Sequence, residues 1–366
     1  YRNPGYACAY KPENSFALHG KLFFQELDLR SWTSDRSDEV YQMWIGSGST
    51  PERWRAIQRK LVGVSLANDQ GYWYYDMNRY FDAPEILEQI GVTTRITERL
   101  MQRRPSGFRP DVVLIRAGDG GRYFGAYFNP IHGAEFYQRM LLETSGVPYD
   151  THSLQDVLAR PELQRYKVYL FMHTTRLSRA ERAGIEQKLK RGGRTLVWVC
   201  DSGYVTEEGK SVDALSDLVG MRIRTEEAYA RLTPQAAASE HALLRGVLPF
   251  QGMSEMFLWV MHKQGTSSFT SRYQPFWVED PKAAPLAAYA ENGRVAMAAR
   301  DFPGWRSVYL GPPRSLGNGL LNAIARRAGA FVCGSPGQSI QMNDGFVSLH
   351  ALRSVEYTLR LPPGTR

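Results

Sequence analysis

The chain of 366 residues has few cysteines and no long hydrophobic run. Cys8, Cys200 and Cys333 lie far apart, are odd in number and form no CxxC motif, so they indicate neither a disulfide framework nor a zinc site. The longest uninterrupted apolar run, from Met256 to Met261, is far shorter than the ~20 residues that span a bilayer. We therefore expect no membrane partner, no metal and no other cofactor.

The formal net charge of +8 is the first feature that could suggest a nucleic-acid partner, because clustered cations neutralise phosphates. The cations are scattered, however, and their densest groups fall at a predicted linker and at a predicted helix end: Arg103, Arg104 and Arg109, and Lys188, Lys190, Arg191 and Arg194. Cations at a helix end suit the helix dipole. We expect no nucleic-acid partner.

Several isolated motifs lack the partners that their chemistry requires. His132 and His173 are isolated from each other and form no HxH pattern, and the glycines of 118–125 lack both the G-x-G-x-x-G spacing and the Lys of a P-loop. Cys200 follows a strand-like run, as the nucleophile of a glutaminase does, but Trp198 and Ser202 occupy the places of the two glycines of a nucleophile elbow. We interpret Cys200 as a buried structural residue.

The segment LHGKLFFQELDLR at 18–30 carries charge in a strand-like alternation. An apolar run leads into Glu26, with Asp28 and Arg30 at every second position. Alternate side chains of a strand share a face, so these three should point one way. The pattern fits either a site at the end of a buried strand or an edge strand with a solvated charged face.

A helix beginning near Pro51, a strand at 71–77 and a helix at about 84–103 follow this first strand. Strands alternating with helices, with polar groups where each strand ends, indicate a parallel α/β arrangement. These two units are too few to close a barrel.

The segment RPSGFRP at 104–110 reads as a domain junction, and a second α/β series follows it. Its continuous apolar runs suit a parallel sheet covered on both faces. The predicted strands are 111–119, 166–172, 195–200, 286–290, 294–299 and 307–310, and the predicted helices are 132–144, 179–191 and one around 320–328. The tail contains an Asp-Gly turn between strand-like runs and predicts a small β unit.

Glu26 and Asp76 each stand near the carboxyl end of a predicted strand, and Trp73, Tyr74 and Tyr75 lie close to Asp76 in sequence. Catalytic groups of (β/α)8 barrels occupy such strand ends. Glycoside hydrolysis needs paired carboxylates, and aromatic rings nearby would stack on sugars. Any α/β protein also places acids at strand ends, so the pattern alone leaves both interpretations open.

These residues resemble a family. LHGKLFFQELDLR and GYWYYDM look like the last two barrel strands of clan A glycoside hydrolases related to family 42 β-galactosidases. RTLVWVCDSGYV and the later VYLGPP look like that family's trimerisation domain, which has a glutamine-amidotransferase-like fold without the glutaminase chemistry. The resemblance implies residues 1–106 as the carboxyl-terminal part of a (β/α)8 barrel, 107–334 as a flavodoxin-like, class I amidotransferase-like domain and 335–366 as a small β domain.

The resemblance also implies a retaining glycosidase with Glu26 as the nucleophile and with Asp28, Arg30, Trp73, Asp76 and His19 as substrate-binding residues. Its partners would be a carbohydrate substrate and further copies of itself, as a dimer or trimer. The acid/base glutamate of such enzymes comes from the fourth strand, and no segment here matches that strand. The chain, which starts at Tyr1, therefore looks like the carboxyl-terminal part of a larger enzyme, and the resemblance leaves open whether this part is active alone.

The alternative from another class is a non-catalytic oligomerisation or carbohydrate-binding protein on the same scaffold. The sequence leaves the sugar, the linkage and the cellular location open.

Overall fold

The computed structural model describes residues 13–27, 29, 31–33, 50–76, 81–102, 107–117, 138–139, 141–172, 174–228, 230, 232–236, 241–244, 273–313, 315–351 and 354–362. The chain forms two compact units. The first comprises Tyr1–Arg109, Glu143–Pro148 and Cys333–Arg366, and the second comprises Pro110–Leu142 and Tyr149–Val332. The three-domain division at 106/107 and 334/335 stays a prediction.

The helices and strands alternate along much of the chain. In order, they are α1 (Glu13–Leu18), β1 (Phe24–Leu27), α2 (Pro51–Ala67), β2 (Gly71–Tyr74), α3 (Pro84–Met101), β3 (Val112–Arg116), β4 (Tyr149–Ser153), α4 (Leu154–Ala159), a 3-10 helix (Pro161–Arg165), β5 (Val168–Met172), α5 (Arg179–Lys188), β6 (Arg194–Val199), α6 (Val212–Val219), β7 (Ile223–Thr225), β8 (Pro234–Ala236), β9 (Phe276–Val278), β10 (Ala284–Tyr289), β11 (Val295–Phe302), β12 (Trp305–Leu310), α7 (Asn318–Arg327), β13 (Ser339–Asn343) and β14 (Phe346–His350).

In the first unit, the parallel strands β1 and β2 have their apolar face packed against helices. The predicted start of α2 is confirmed: Pro51 occupies the first turn and the Thr50 hydroxyl accepts a hydrogen bond from the Arg53 amide. Trp54 of α2 forms the centre of the core, with the rings of Trp32 and Phe81 edge-on to it at 5.9 and 5.8 Å between centroids. This helix layer holds both strands from one side.

The predicted Asp-Gly hairpin is present as β13 and β14, which pair antiparallel and contact α2. Gly63 permits this contact, because a Cβ there would lie 2.0 Å from the Ser348 Oγ. The Asn343 side chain also donates a hydrogen bond of 3.1 Å to the Leu66 carbonyl. The tail therefore packs within the first unit.

The second unit contains a sheet that, over the described residues, has ten strands. Its main path runs β4-β3-β5-β6-β12-β11-β10-β8, with β9 and β7 branching from β11. The strands from β4 to β12 along this path are parallel, and those beyond β12 are antiparallel. The fold is therefore mixed α/β, and the predicted parallel sheet is confirmed as one half of a larger mixed sheet.

The sequence left open whether the first strand is buried or has a solvated face. β1 starts only at Phe24, whose side chain is 56% exposed, and Leu22 is 85% exposed. The covering helices lie on the opposite face of the strand, where Leu27 and Leu29 are buried. The apolar run therefore belongs to an open face.

Candidate active site

Glu26 lies near the carboxyl end of β1, on the face away from the helix layer. Gln25, Leu27 and Leu29 are buried, whereas Glu26 is half-buried, so the predicted alternation is confirmed over these residues. Asp28 and Arg30, expected on the same face as Glu26, lie outside the described residues.

The residues directly before and after Glu26 hold its backbone in place. The Ser65 hydroxyl of α2 donates a buried hydrogen bond of 3.0 Å to the Gln25 side-chain carbonyl, and Leu27 packs into the core. A hydrogen bond between buried groups is directional. It therefore fixes the position of the strand along the helix, which apolar packing alone would not do. Sequence reasoning missed this contact, because 40 positions separate its partners.

Strand β2 places an indole beside the carboxylate. Glu26 is the register partner of Trp73 in the parallel pair. Tyr72 and Tyr74 face α3, where their hydroxyls lie 2.7 Å from the Thr97 Oγ1 and 2.5 Å from the Thr93 Oγ1. Strand alternation therefore puts Trp73 on the open face with Glu26, and its side chain is 43% exposed.

The aromatic surface extends beyond the strand. The rings of Trp73 and Tyr75 lie edge-to-face, 5.2 Å between centroids. Across the same face, Gly71 leaves room for Phe24, because a Cβ on Gly71 would lie 2.3 Å from that ring. The result is a shallow apolar surface next to one carboxylate.

The other predicted site residues occupy different places. Asp76 is exposed two residues after β2, and its Oδ2 accepts a 3.3 Å hydrogen bond from the Phe81 amide across the intervening segment. His19 is exposed in the turn that follows α1. The structure thus brings Glu26 and Trp73 together as strand neighbours, with Asp76 shortly beyond.

Only one of the two carboxylates that glycoside hydrolysis requires lies on these strands, whose sequences are FQEL and GYWY. No hydrogen bond or ion pair joins the Glu26 side chain to any residue that the structure describes. Its oxygens are therefore unengaged within the described first unit. Nor do three or more metal-binding side chains cluster anywhere in the described ranges.

Cys200 is buried, as interpreted from the sequence, and burial raises the pKa of its thiol well above the ordinary value. The structure adds an unexpected feature: Cys200 has a φ of +56°, in the left-handed region that non-glycine residues rarely adopt. Burial and the raised pKa leave the thiol unsuited to nucleophilic attack. His132 and His173 lie outside the described residues.

The fold is that of a mixed α/β protein. Its similarity to known proteins was found by comparing structures and not by comparing sequences. No family model matches the sequence, and no curated protein matches it either. Among the helices of the described residues, none has the length and apolar character to cross a membrane.

Solved β-galactosidase structures are similar to this chain. That from Bacillus circulans sp. alkalophilus aligns with a TM-score of 0.57 and 12% identity over 90% of this chain and 49% of that chain. That from Halorubrum lacusprofundi gives 0.60 and 14% over 91% of this chain and 48% of that chain. Gan42B, a GH42 β-galactosidase from G. stearothermophilus, gives 0.52 and 12% over 80% and 43%.

The chain therefore spans about half the length of the solved β-galactosidase chains that it matches. The resemblance to family 42 that the sequence indicated is confirmed as a likeness of fold. Identities of this size carry no assignment of activity.

Proposed function

We propose that this chain is the carboxyl-terminal part of a retaining glycoside hydrolase of the β-galactosidase type. The observation that carries the proposal is the pairing of Glu26 with Trp73 on the open face of two parallel strands whose other face is covered by helices. Parallel strands with helices on one side form the wall of a (β/α)8 barrel, and barrel enzymes act at the carboxyl ends of their strands.

The proposed layout follows the same resemblance. Residues 1–106 form the last part of the barrel, 107–334 an amidotransferase-like domain of the trimerisation type, and 335–366 a small β domain. The two parallel strands with α2 and α3, and the mixed sheet with its parallel half, support this layout. We further propose that the chain assembles as a dimer or trimer.

In the proposed mechanism, Glu26 attacks the anomeric carbon of a β-glycoside while a glutamate from upstream protonates the leaving oxygen. The bond to the leaving group breaks, and a glycosyl ester forms on Glu26. Water, deprotonated by the upstream group, then cleaves the ester and restores both carboxyl groups. The half-buried position of Glu26 leaves its oxygens available to a substrate on the open face.

The remaining residues bind the sugar in this proposal. Trp73 offers an exposed ring face as a wall for one sugar. Asp76 and His19 are exposed and can accept or donate hydrogen bonds to hydroxyl groups. Asp28 and Arg30, by the same resemblance, hold and orient Glu26.

The test uses the full-length protein with aryl β-galactosides. We expect Glu26→Gln to lower kcat by about 10⁴-fold or more, since the covalent step loses its nucleophile. Azide should restore turnover of Glu26→Ala and give the glycosyl azide of opposite anomeric configuration, because a small anion enters from the vacated side. Glu88→Gln, at an exposed position of α3, is the matched control. Full activity of Glu26→Gln would refute the nucleophile assignment.

A non-catalytic carbohydrate-binding or oligomerisation protein is the second candidate. It is favoured by the presence of a single carboxylate on strands β1 and β2, FQEL and GYWY, where retaining hydrolysis needs two about 5–5.5 Å apart. Under this alternative, the full-length protein binds sugars or self-associates, and Glu26→Gln changes no hydrolysis rate. Activity assays beside sedimentation velocity separate the two.

A further inference from the structure

The turn that follows β6 in the second unit holds a strained residue in place with specific hydrogen bonds. Cys200, at φ +56°, donates its amide hydrogen to the Leu310 carbonyl at 2.7 Å. Its carbonyl accepts a hydrogen bond of 2.8 Å from the Tyr309 hydroxyl. A left-handed non-glycine residue costs free energy, and it persists where surrounding contacts determine it.

The next residue, Asp201, places a carboxyl group in the interior. Its side chain is 3% exposed, and its Oδ2 accepts a hydrogen bond of 2.9 Å from the Thr175 hydroxyl. Its Oδ1 accepts no hydrogen bond from any described residue. An ionised carboxylate with an unengaged oxygen is unfavourable in such surroundings, and burial raises the pKa of Asp201 to about 6.

The titratable groups of the described residues that face Asp201 do not change charge in the pH range in which Asp201 does. They are the Cys200 thiol and the Tyr309 hydroxyl, and burial raises both pKa values well above ordinary. On α5, the Arg182 guanidinium donates to the carbonyls of Gly203 and Ala214, and its charged neighbours are Asp217, Glu207, Glu181 and Glu208. Among the described carboxyl groups in contact with this turn, Asp201 is therefore the one that is buried.

The rest of the turn is tied to the segment that supplies the Thr175 hydroxyl. The Gly203 amide donates to the Thr174 carbonyl at 2.8 Å, and the Val205 amide donates to the Thr175 carbonyl at 2.9 Å. The Tyr204 amide closes the turn on the Asp201 carbonyl at 2.8 Å. A change at the Asp201 carboxyl therefore acts on the same contacts that keep the turn shut.

We propose that residues 200–205 form a pH-sensitive turn, which protonation of the Asp201 carboxyl closes and ionisation loosens. A neutral carboxyl fits the interior, whereas the anion gains by admitting water. Opening exposes the Cys200 thiol and frees the amides of residues 203–205. This device is independent of the proposed glycosidase activity.

Hydrogen exchange of the chain between pH 4.5 and 7.5, corrected for intrinsic exchange, tests the proposal. If the open turn restores the ordinary pKa of Asp201, protection of the amides of residues 203–205 falls by about 25-fold over this range. Asp201→Asn should remove this dependence, and Asp217→Asn, an exposed residue of α6, should retain it. Protection that is constant in the unmodified chain, or unchanged by Asp201→Asn, overturns the proposal.

Thr175→Val provides a second variant in case Asp201→Asn fails to fold. Because the Thr175 hydroxyl lowers the Asp201 pKa, its removal should move the midpoint of the exchange transition to higher pH. An unchanged midpoint assigns the transition to another group and overturns the proposal. Alkylation of Cys200 at pH 7.5, followed by peptide mass spectrometry, should be slower in Asp201→Asn than in the unmodified chain.

Discussion

The two units each carry an acidic residue at the carboxyl end of a parallel strand, and the two acids have different surroundings. Glu26 in the first unit is half-buried, and its side chain makes no hydrogen bond to a described residue. Asp201 in the second unit is buried and bonded to Thr175. The difference comes from coverage: β1 has helices on one face, whereas Thr195–Val199 of β6, the strand that leads to Asp201, are all buried.

The comparison shows that an acid at a strand end is not by itself evidence for catalysis. In both FQE at 24–26 and VWVCD at 197–201 an apolar run leads into an acid, yet Glu26 lies on an open face and Asp201 is buried. Glu26 is partly accessible to solvent, whereas the Asp201 side chain is 3% exposed. The variants below separate the two environments.

The largest expected difference in stability is between substituting an aromatic residue of the core and substituting one on the open face. Trp198 of β6 stacks on Phe171 at 4.2 Å between centroids and donates from Nε1 to the Ser307 hydroxyl at 3.1 Å. Trp198→Ala should lower the free energy of unfolding by about 3–5 kcal/mol. Phe24→Ala should cost less than about 1 kcal/mol, since its ring is more than half exposed. Urea denaturation measures both, and equal losses would contradict the contrast in coverage.

The second difference concerns charge and pH. Because the folded-state pKa of Asp201 is raised to about 6, its ionisation destabilises the fold fully above pH 6, partly between pH 4 and 6, and hardly below pH 4. Asp201→Asn should therefore stabilise the chain by up to about 3 kcal/mol at pH 7.5 and by less than about 1 kcal/mol at pH 4. Asp217→Asn is the exposed control, and urea unfolding at both pH values is the measurement. A gain that does not depend on pH would exclude ionisation as the cause.

Much of the local structure could be predicted from sequence because its signals are local. The capping box of α5 is present, with the Ser178 hydroxyl accepting from the Glu181 amide and the Glu181 carboxylate accepting from the Ser178 amide. The alternation around Glu26 correctly placed Gln25 and Leu27 on the covered face. Such features depend on neighbours within four positions.

Features that depend on distant partners were not predictable. The burial of Asp201 requires coverage from several strands, and the left-handed Cys200 is held by Leu310 and Tyr309, more than 100 positions away. The burial of Asp201 could have been inferred from the sequence, because Asp201 directly follows the apolar run TLVWVC. For the candidate site, the roles assigned to all six residues stay predictions: Glu26, Asp28, Arg30, Trp73, Asp76 and His19.

A smaller effect is expected at the contact that fixes β1. Ser65→Ala removes the donor to Gln25 and leaves a buried acceptor unsatisfied, so it should cost about 1–2 kcal/mol. Ser354→Ala, at an exposed position, should be neutral. A double-mutant cycle with Gln25→Leu measures the coupling, and a coupling energy of zero would show that the hydrogen bond does not hold the strand.

The smallest effect concerns the strained turn. At Cys200 the left-handed backbone favours glycine, so Cys200→Gly should be more stable than Cys200→Ala by about 1 kcal/mol. Cys333 is also buried, but its φ is not positive. Among the described non-glycine residues, only Asp69 and Cys200 have a positive φ. At Cys333 the order should reverse, so that Cys333→Ala is more stable than Cys333→Gly, because glycine loses more backbone entropy without relieving strain. The same order at both cysteines, measured by urea denaturation, would show that the turn in the second unit stores no strain.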